Sequence, residues 1–156
     1  MKLINLILIA LFAVPVSASA GNAEEFHGKW VGKGTYIYDG RLSNCPEFHM
    51  EFGGSAEKFA FAGGGRECEF HRETFERAEM DIRGDELYFY GQKVGSFREN
   101  ELSAEFRAPE GNGKFRNWRM FMRRQGNHLM YEESRRMDGE TTPLISFSGL
   151  MILQSR

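Results

Sequence analysis

Residues 114–137 read KFRNWRMFMRRQGNHLMYEESRRM, and this stretch decides the fold class. Between Lys114 and Arg124, Trp118, Met120 and Met122 fall on one side of a two-residue repeat and Arg119 and Arg123 on the other. A period of two belongs to a strand with one buried and one solvated face. Gln125-Gly126-Asn127 then supplies residues suited to a tight reversal, and His128–Met137 continues as a second run. The pair reads as a hairpin.

The same alternation recurs along the chain on both sides of this hairpin. Candidate strands are Lys29–Tyr38, Pro46–Phe52, Glu57–Ala62, Glu67–His71, Glu76–Arg83, Glu86–Tyr90, Lys93–Glu99, Glu101–Arg107, Lys114–Arg124, His128–Met137 and Leu144–Leu153. Gly53-Gly54-Ser55, Gly63-Gly64-Gly65, Gly84-Asp85, Asn100, Pro109–Gly113 and Asp138-Gly139 separate them as turns. Arg66–Arg83 also carries some helical spacing, but Ala78, Met80 and Ile82 alternate with Glu79, Asp81 and Arg83 and favour strands. So many short strands in one small domain must hide their edges, and closure into a barrel does so. The expected fold is all-β, an antiparallel up-and-down β-barrel of about 8–10 strands. A two-sheet sandwich is the alternative, but hairpins without a long crossover favour the meander.

The chain of 156 residues is sized for one domain. Its 20 Lys and Arg against 22 Asp and Glu leave a formal charge of −2, without the basic excess that neutralising a phosphate backbone requires, so nucleic acid is not the expected partner. Residues 1–20 carry Lys2, an apolar run from Leu3 to Val16 and then Ala18-Ser19-Ala20, the pattern of a cleaved secretory signal. The apolar run is shorter than the roughly 20 residues needed to span a bilayer, so the reading is export to the periplasm or outside the cell, with residues 21–156 forming the barrel. Export gives the only two cysteines meaning, because an even pair in an oxidising compartment most often bridges: Cys45 and Cys68 are expected as a disulfide.

The first mature strand contains Gly28-x-Trp30-x-Gly32-x-Gly34. This resembles the opening strand of the calycin barrels: lipocalins, fatty-acid-binding proteins, avidins and nitrobindins. The resemblance implies that Trp30 plugs one end of a barrel against an arginine from late in the chain, for which Arg135, Arg136 and Arg156 are candidates. It also implies a tendency to hold small apolar molecules. Two departures narrow it. The last candidate strand has no histidine of the kind that binds haem in nitrobindins. Asp39–Cys45 is also too short for the helix pair that lids fatty-acid-binding proteins.

Alternation places Tyr36, Phe48, Met50, Phe61, Met80, Phe106, Trp118, Met120 and Met122 as the candidate ligand lining. Glycines on the inner face of the first strand are expected to leave volume inside, although a barrel of this size can equally be filled by its own side chains. Tyr36 and Tyr131 are candidate polar handles, as are Tyr88 and Tyr90. For the last two, the opposite orientation, with Leu87 and Phe89 inward, is equally compatible. Arg119 and Arg123 are expected on the outer wall, paired with carboxylates such as Glu132 and Glu133. Such an arginine-bearing wall could serve a solid barrel as an interaction or structural module. His27, His49, His71 and His128 have no metal-ligand spacing, no nucleophile motif is present, and Gly63-Gly64-Gly65 lacks the Lys-Ser/Thr of a phosphate loop. The expectation is a binding protein for a small hydrophobic or amphipathic molecule, with no cofactor, no metal and no catalysis.

Overall fold

The computed structural model describes residues 22–111 and 113–155; residues 1–20, read above as a secretory signal, lie outside the described residues. A 3-10 turn, Ala23–Phe26, precedes eleven strands: β1 (Gly28–Tyr38), β2 (Arg41–Ser55), β3 (Lys58–Cys68), β4 (His71–Phe75), β5 (Ala78–Arg83), β6 (Glu86–Phe89), β7 (Gln92–Arg98), β8 (Glu101–Gly111), β9 (Lys114–Gln125), β10 (His128–Met137) and β11 (Ile145–Ser155). Every pairing is antiparallel. β1 pairs with both β2 and β11 and β2 pairs with β3, so ten strands close into a barrel and β4 stands beside it on β3.

Two sequence expectations are corrected here, both by bulges. Pro46 does not begin the second strand. It lies within β2, where the pairing with β1 slips between Gly32 and Gly34, and a bulge is where a residue without an N–H can sit inside a sheet. Gly63-Gly64-Gly65 is not a turn either, because β3 runs through it. Gly63 and Gly64 have φ of 145° and 156°, a bend that a side chain would resist, opposite a register slip in β2. Past this bend β3 changes neighbour: Lys58–Phe61 pair with β5 and Gly64–Cys68 with β4. Both lie in one register, Phe61 opposite Ala78 and Gly64 opposite Phe75, so β4 and β5 form a single arm interrupted at Glu76-Arg77.

The other side of that arm is poorly covered. β6 and β7 pair with each other, but β6 reaches only Asp81–Arg83 of β5 and β7 only Glu101–Ala104 of β8. The short β6–β7 hairpin therefore fills the lower wall alone. Above it, among the described residues, β4 and β8 from Glu105 onward each have a pairing partner on one side only, and the barrel wall is notched.

The end away from the notch is plugged. Trp30 and Phe26 are fully buried, and the Trp30 indole N–H donates to the Phe26 carbonyl at 2.7 Å. Phe26 meets Phe52, Phe59 and Phe97 edge-on at 6.4, 5.8 and 5.5 Å between centroids, contacts worth roughly 0.5–1.5 kcal/mol each beyond area burial. Of the arginines proposed for this end, Arg135 lies instead over Trp118 at 5.4 Å, Arg136 borders an outer groove with Thr141 and Pro143, and Arg156 is outside the described residues. The arginine at the plug is Arg124, whose guanidinium meets Glu25 of the 3-10 turn at 2.6 Å.

Glycines on the inner face do not leave free volume. A Cβ on Gly149 would stand 2.8 Å from the Phe48 ring, and one on Gly34 would strike the ring of Phe147. The small residues admit large rings, and Phe48 and Phe147 pack at 4.6 Å. Cys45 and Cys68 form the expected disulfide, joining β2 to β3 at the notched end.

Candidate functional site

On β10 the inward parity set by Leu129 and Tyr131 carries on to Glu133 and Arg135. On β3 and β4 the register sets Arg66 directly opposite Glu73, on the face shared with His71 and Phe75. Two arginines and two glutamates therefore meet inside the upper barrel. Arg66 donates from Nη1 to Glu133 Oε2 at 3.2 Å and from Nη2 to Glu73 Oε2. Arg135 donates from Nη2 to Glu73 Oε1 at 2.6 Å and from Nε to Glu133 Oε1. Each carboxylate thus holds both guanidinium groups, and the Tyr131 hydroxyl adds a bond to Glu133 Oε2 at 3.0 Å. Such a set survives burial because every charge has two opposite partners; a lone one would cost several kcal/mol.

Aromatic rings frame the cluster. The Arg66 guanidinium lies 4.7 Å from the centroid of Phe147, 4.9 Å from Tyr36 and 5.4 Å from Phe75. Tyr36 stacks flat on His71 at 4.6 Å, and His71 Nε2 stands 3.5 Å from Glu73. Burial would raise the Glu73 carboxyl, but Arg66 and Arg135 outweigh it and hold it below the ordinary carboxylate range. Burial pulls the Arg135 guanidinium down, and Glu133 and Glu73 more than compensate. Burial, with Glu133 beside it, drives the Tyr131 phenol well up, and burial raises Tyr36. Both phenols are neutral hydrogen-bonding groups at physiological pH.

Around the notch, five aromatic side chains point inward yet remain partly exposed: Phe61, Phe75, Phe89, Phe106 and Trp118. Phe61 meets Phe75 at 5.9 Å on one side, while Phe89, Phe106 and Trp118 form a chain at 5.5 and 5.2 Å on the other. Tyr90, 92% exposed, crowns the β6–β7 hairpin against Phe89. The orientation left open by the sequence is thereby resolved: Leu87 and Phe89 face inward, and Tyr88 lies outside, bonded to Glu86.

The nine candidate lining residues divide. Phe48, Met50, Met80, Met120, Met122 and Tyr36 are enclosed in the packed interior, whereas Phe61, Phe106 and Trp118 border the notch. Sequence reasoning missed Arg66, Glu73, Glu133 and Arg135. The alternation of β10 carried the signal for the last two. The expectation that Glu133 sits on the surface is corrected: Arg119 pairs with Glu105 at 3.2 Å and Arg123 with Glu101 at 2.6 Å, their cross-strand neighbours on β8.

A groove of about 340 Å3 lies on the outer wall across β1, β11, β10 and β9, bordered by Thr35, Ile37, Arg119, Phe121, Glu132 and Ser134. Among the described residues no three His, Cys, Asp or Glu side chains stand together as metal ligands, and no helix is long and apolar enough to cross a membrane. Comparison with known proteins found no matching family model, curated protein or solved structure.

Proposed function

We propose that the protein is an exported carrier that holds a small hydrophobic or amphipathic molecule at the notched end of a calycin-like barrel and performs no chemistry on it. The observation that carries this reading is the set of five inward aromatic rings that solvent reaches, placed where the wall is incomplete and beside a buried polar cluster, with Arg66 over Phe75 and Arg135 over Trp118. Such a cleft suits an apolar body with one polar end. The buried Trp30 at the opposite plug supports the calycin comparison, and the disulfide supports an oxidising compartment. Native mass spectrometry of protein purified from its own host tests it: an apolar adduct that Phe106→Arg, at the border of the notch, abolishes is the expected result, and protein that carries none and binds no lipid probe contradicts it.

A second reading, a solid barrel that meets a partner through its outer wall, draws on the groove beside Arg119 and on the filled interior below the notch. Under that reading Arg119→Glu abolishes partner capture while lipid probes have no effect.

A further inference from the structure

We propose that Glu73 is a built-in competitor for the ligand: an amphipathic carboxylate binds Arg66 and Arg135 by taking the place of the Glu73 carboxylate, and β4 loosens as it does so. This rests on the reading of the notch as the binding site and specifies the ligand's polar end.

Charge balance requires an exchange. The cluster holds two guanidinium groups and two carboxylates, so an added anion would leave a buried excess charge, whereas a carboxylate that replaces Glu73 keeps the cluster neutral. Of the two carboxylates only Glu73 can leave. Its side chain is 20% exposed and that of Glu133 is 0% exposed.

The fit to Arg66 favours the newcomer. Glu73 reaches Arg66 through Nη2 alone, and Arg66 Nε is buried with no partner among the described residues, although the arginine is only 1% exposed. Nε and Nη2 form one edge of the guanidinium, and a carboxylate laid along that edge makes two parallel bonds where Glu73 makes one.

The carrier of Glu73 can yield. Among the described residues β4 has β3 as its one neighbour, and it ends at the Glu76-Arg77 interruption. Its other end is anchored, since Glu69 N–H donates to the Asn44 carbonyl at 3.1 Å beside the Cys45–Cys68 bridge. Displacement is thereby confined to residues 71–75. The apolar chain of the incoming molecule then lies among Phe75, Phe89, Phe106 and Trp118.

The test compares dodecanoate with 1-dodecanol, which share a chain and differ at the head, by titrating the wild-type protein and Glu73→Gln and by following amide hydrogen exchange in the wild type. Removing the competitor is expected to tighten dodecanoate binding by about tenfold, as when a binding-competent state becomes the populated one, and to leave dodecanol binding unchanged. In the wild type, dodecanoate is expected to speed exchange at Arg72–Phe75 and dodecanol to leave it unchanged. This second arm separates exchange from a mere charge effect of the substitution, and it decides the matter alone if Glu73→Gln does not fold. Slower or unaltered exchange in β4 with dodecanoate bound overturns the proposal, as does equal dodecanoate affinity in the two proteins. If dodecanol binds in either case, the carrier reading stands without the competitor; if neither probe binds either protein, both are overturned.

Discussion

Arg66 and Glu133, 67 residues apart in the chain, meet at 3.2 Å inside the barrel with neither side chain exposed to solvent. The contact spans the lumen from β3 to β10. It makes the upper interior polar where the lower interior, around Trp30 and Phe26, is apolar.

Removing one partner of this pair is expected to cost more than removing both. Glu133→Ala leaves Arg66 and Arg135 sharing Glu73 alone, one positive charge in excess inside the barrel, and leaves the Tyr131 hydroxyl without its acceptor, a loss of about 3–5 kcal/mol by analogy with other broken buried pairs. The double change Arg66→Met with Glu133→Leu leaves Glu73 paired with Arg135 and is expected to recover most of that loss. Urea unfolding of the three proteins measures both quantities.

The cluster also sets a pH dependence. The folded-state pKa of Glu73 is depressed below its ordinary 4.5, so the unfolded chain takes up the proton first as pH falls. Its contribution to stability is full above about pH 4.5 and is lost as pH drops from there through the depressed folded value. Melting temperatures measured downward from neutral pH are therefore expected to fall more steeply for the wild type than for Glu73→Gln below that point.

At the plug, Phe26→Ala removes a ring that three others meet edge-on and is expected to destabilise by about 3–5 kcal/mol. Because the Phe26 carbonyl accepts the Trp30 indole N–H, loosening of the turn is expected to shift tryptophan emission to the red in the folded variant. A loss under about 1 kcal/mol would place the plug's strength elsewhere.

Much of this architecture was legible in the chain because strand parity is a local property. Trp118, Met120 and Met122 reported one face of β9 directly. Parity fails where a bulge resets it: Pro46 passed for the start of a strand and the three glycines at 63–65 for a turn, since both residue types mark breaks more often than bulges. The charge cluster was hidden for a different reason. Glu133 and Arg135 share the parity of Tyr131, but charged side chains are almost never fully buried unless paired, and the partners Arg66 and Glu73 lie more than 60 residues away across the lumen. Nothing local to β10 announces them.

Reducing the Cys45–Cys68 bridge, or replacing both cysteines by serine, is expected to lower stability by about 3 kcal/mol through the loop it closes. Because the bridge anchors the arm that carries Glu73, hydrogen exchange in β4 is expected to rise before global unfolding. Uniform loss of protection across the barrel would argue against a separately yielding arm.

The most direct test of ligand binding at the notch is the tryptophan fluorescence of the wild type and Trp118→Phe during titration with 1-dodecanol. Trp118 borders the notch and Trp30 is sealed in the plug, so a saturable spectral change is expected in the wild type and is expected to disappear in Trp118→Phe. No change in the wild type, or a change that survives the substitution, would contradict the account.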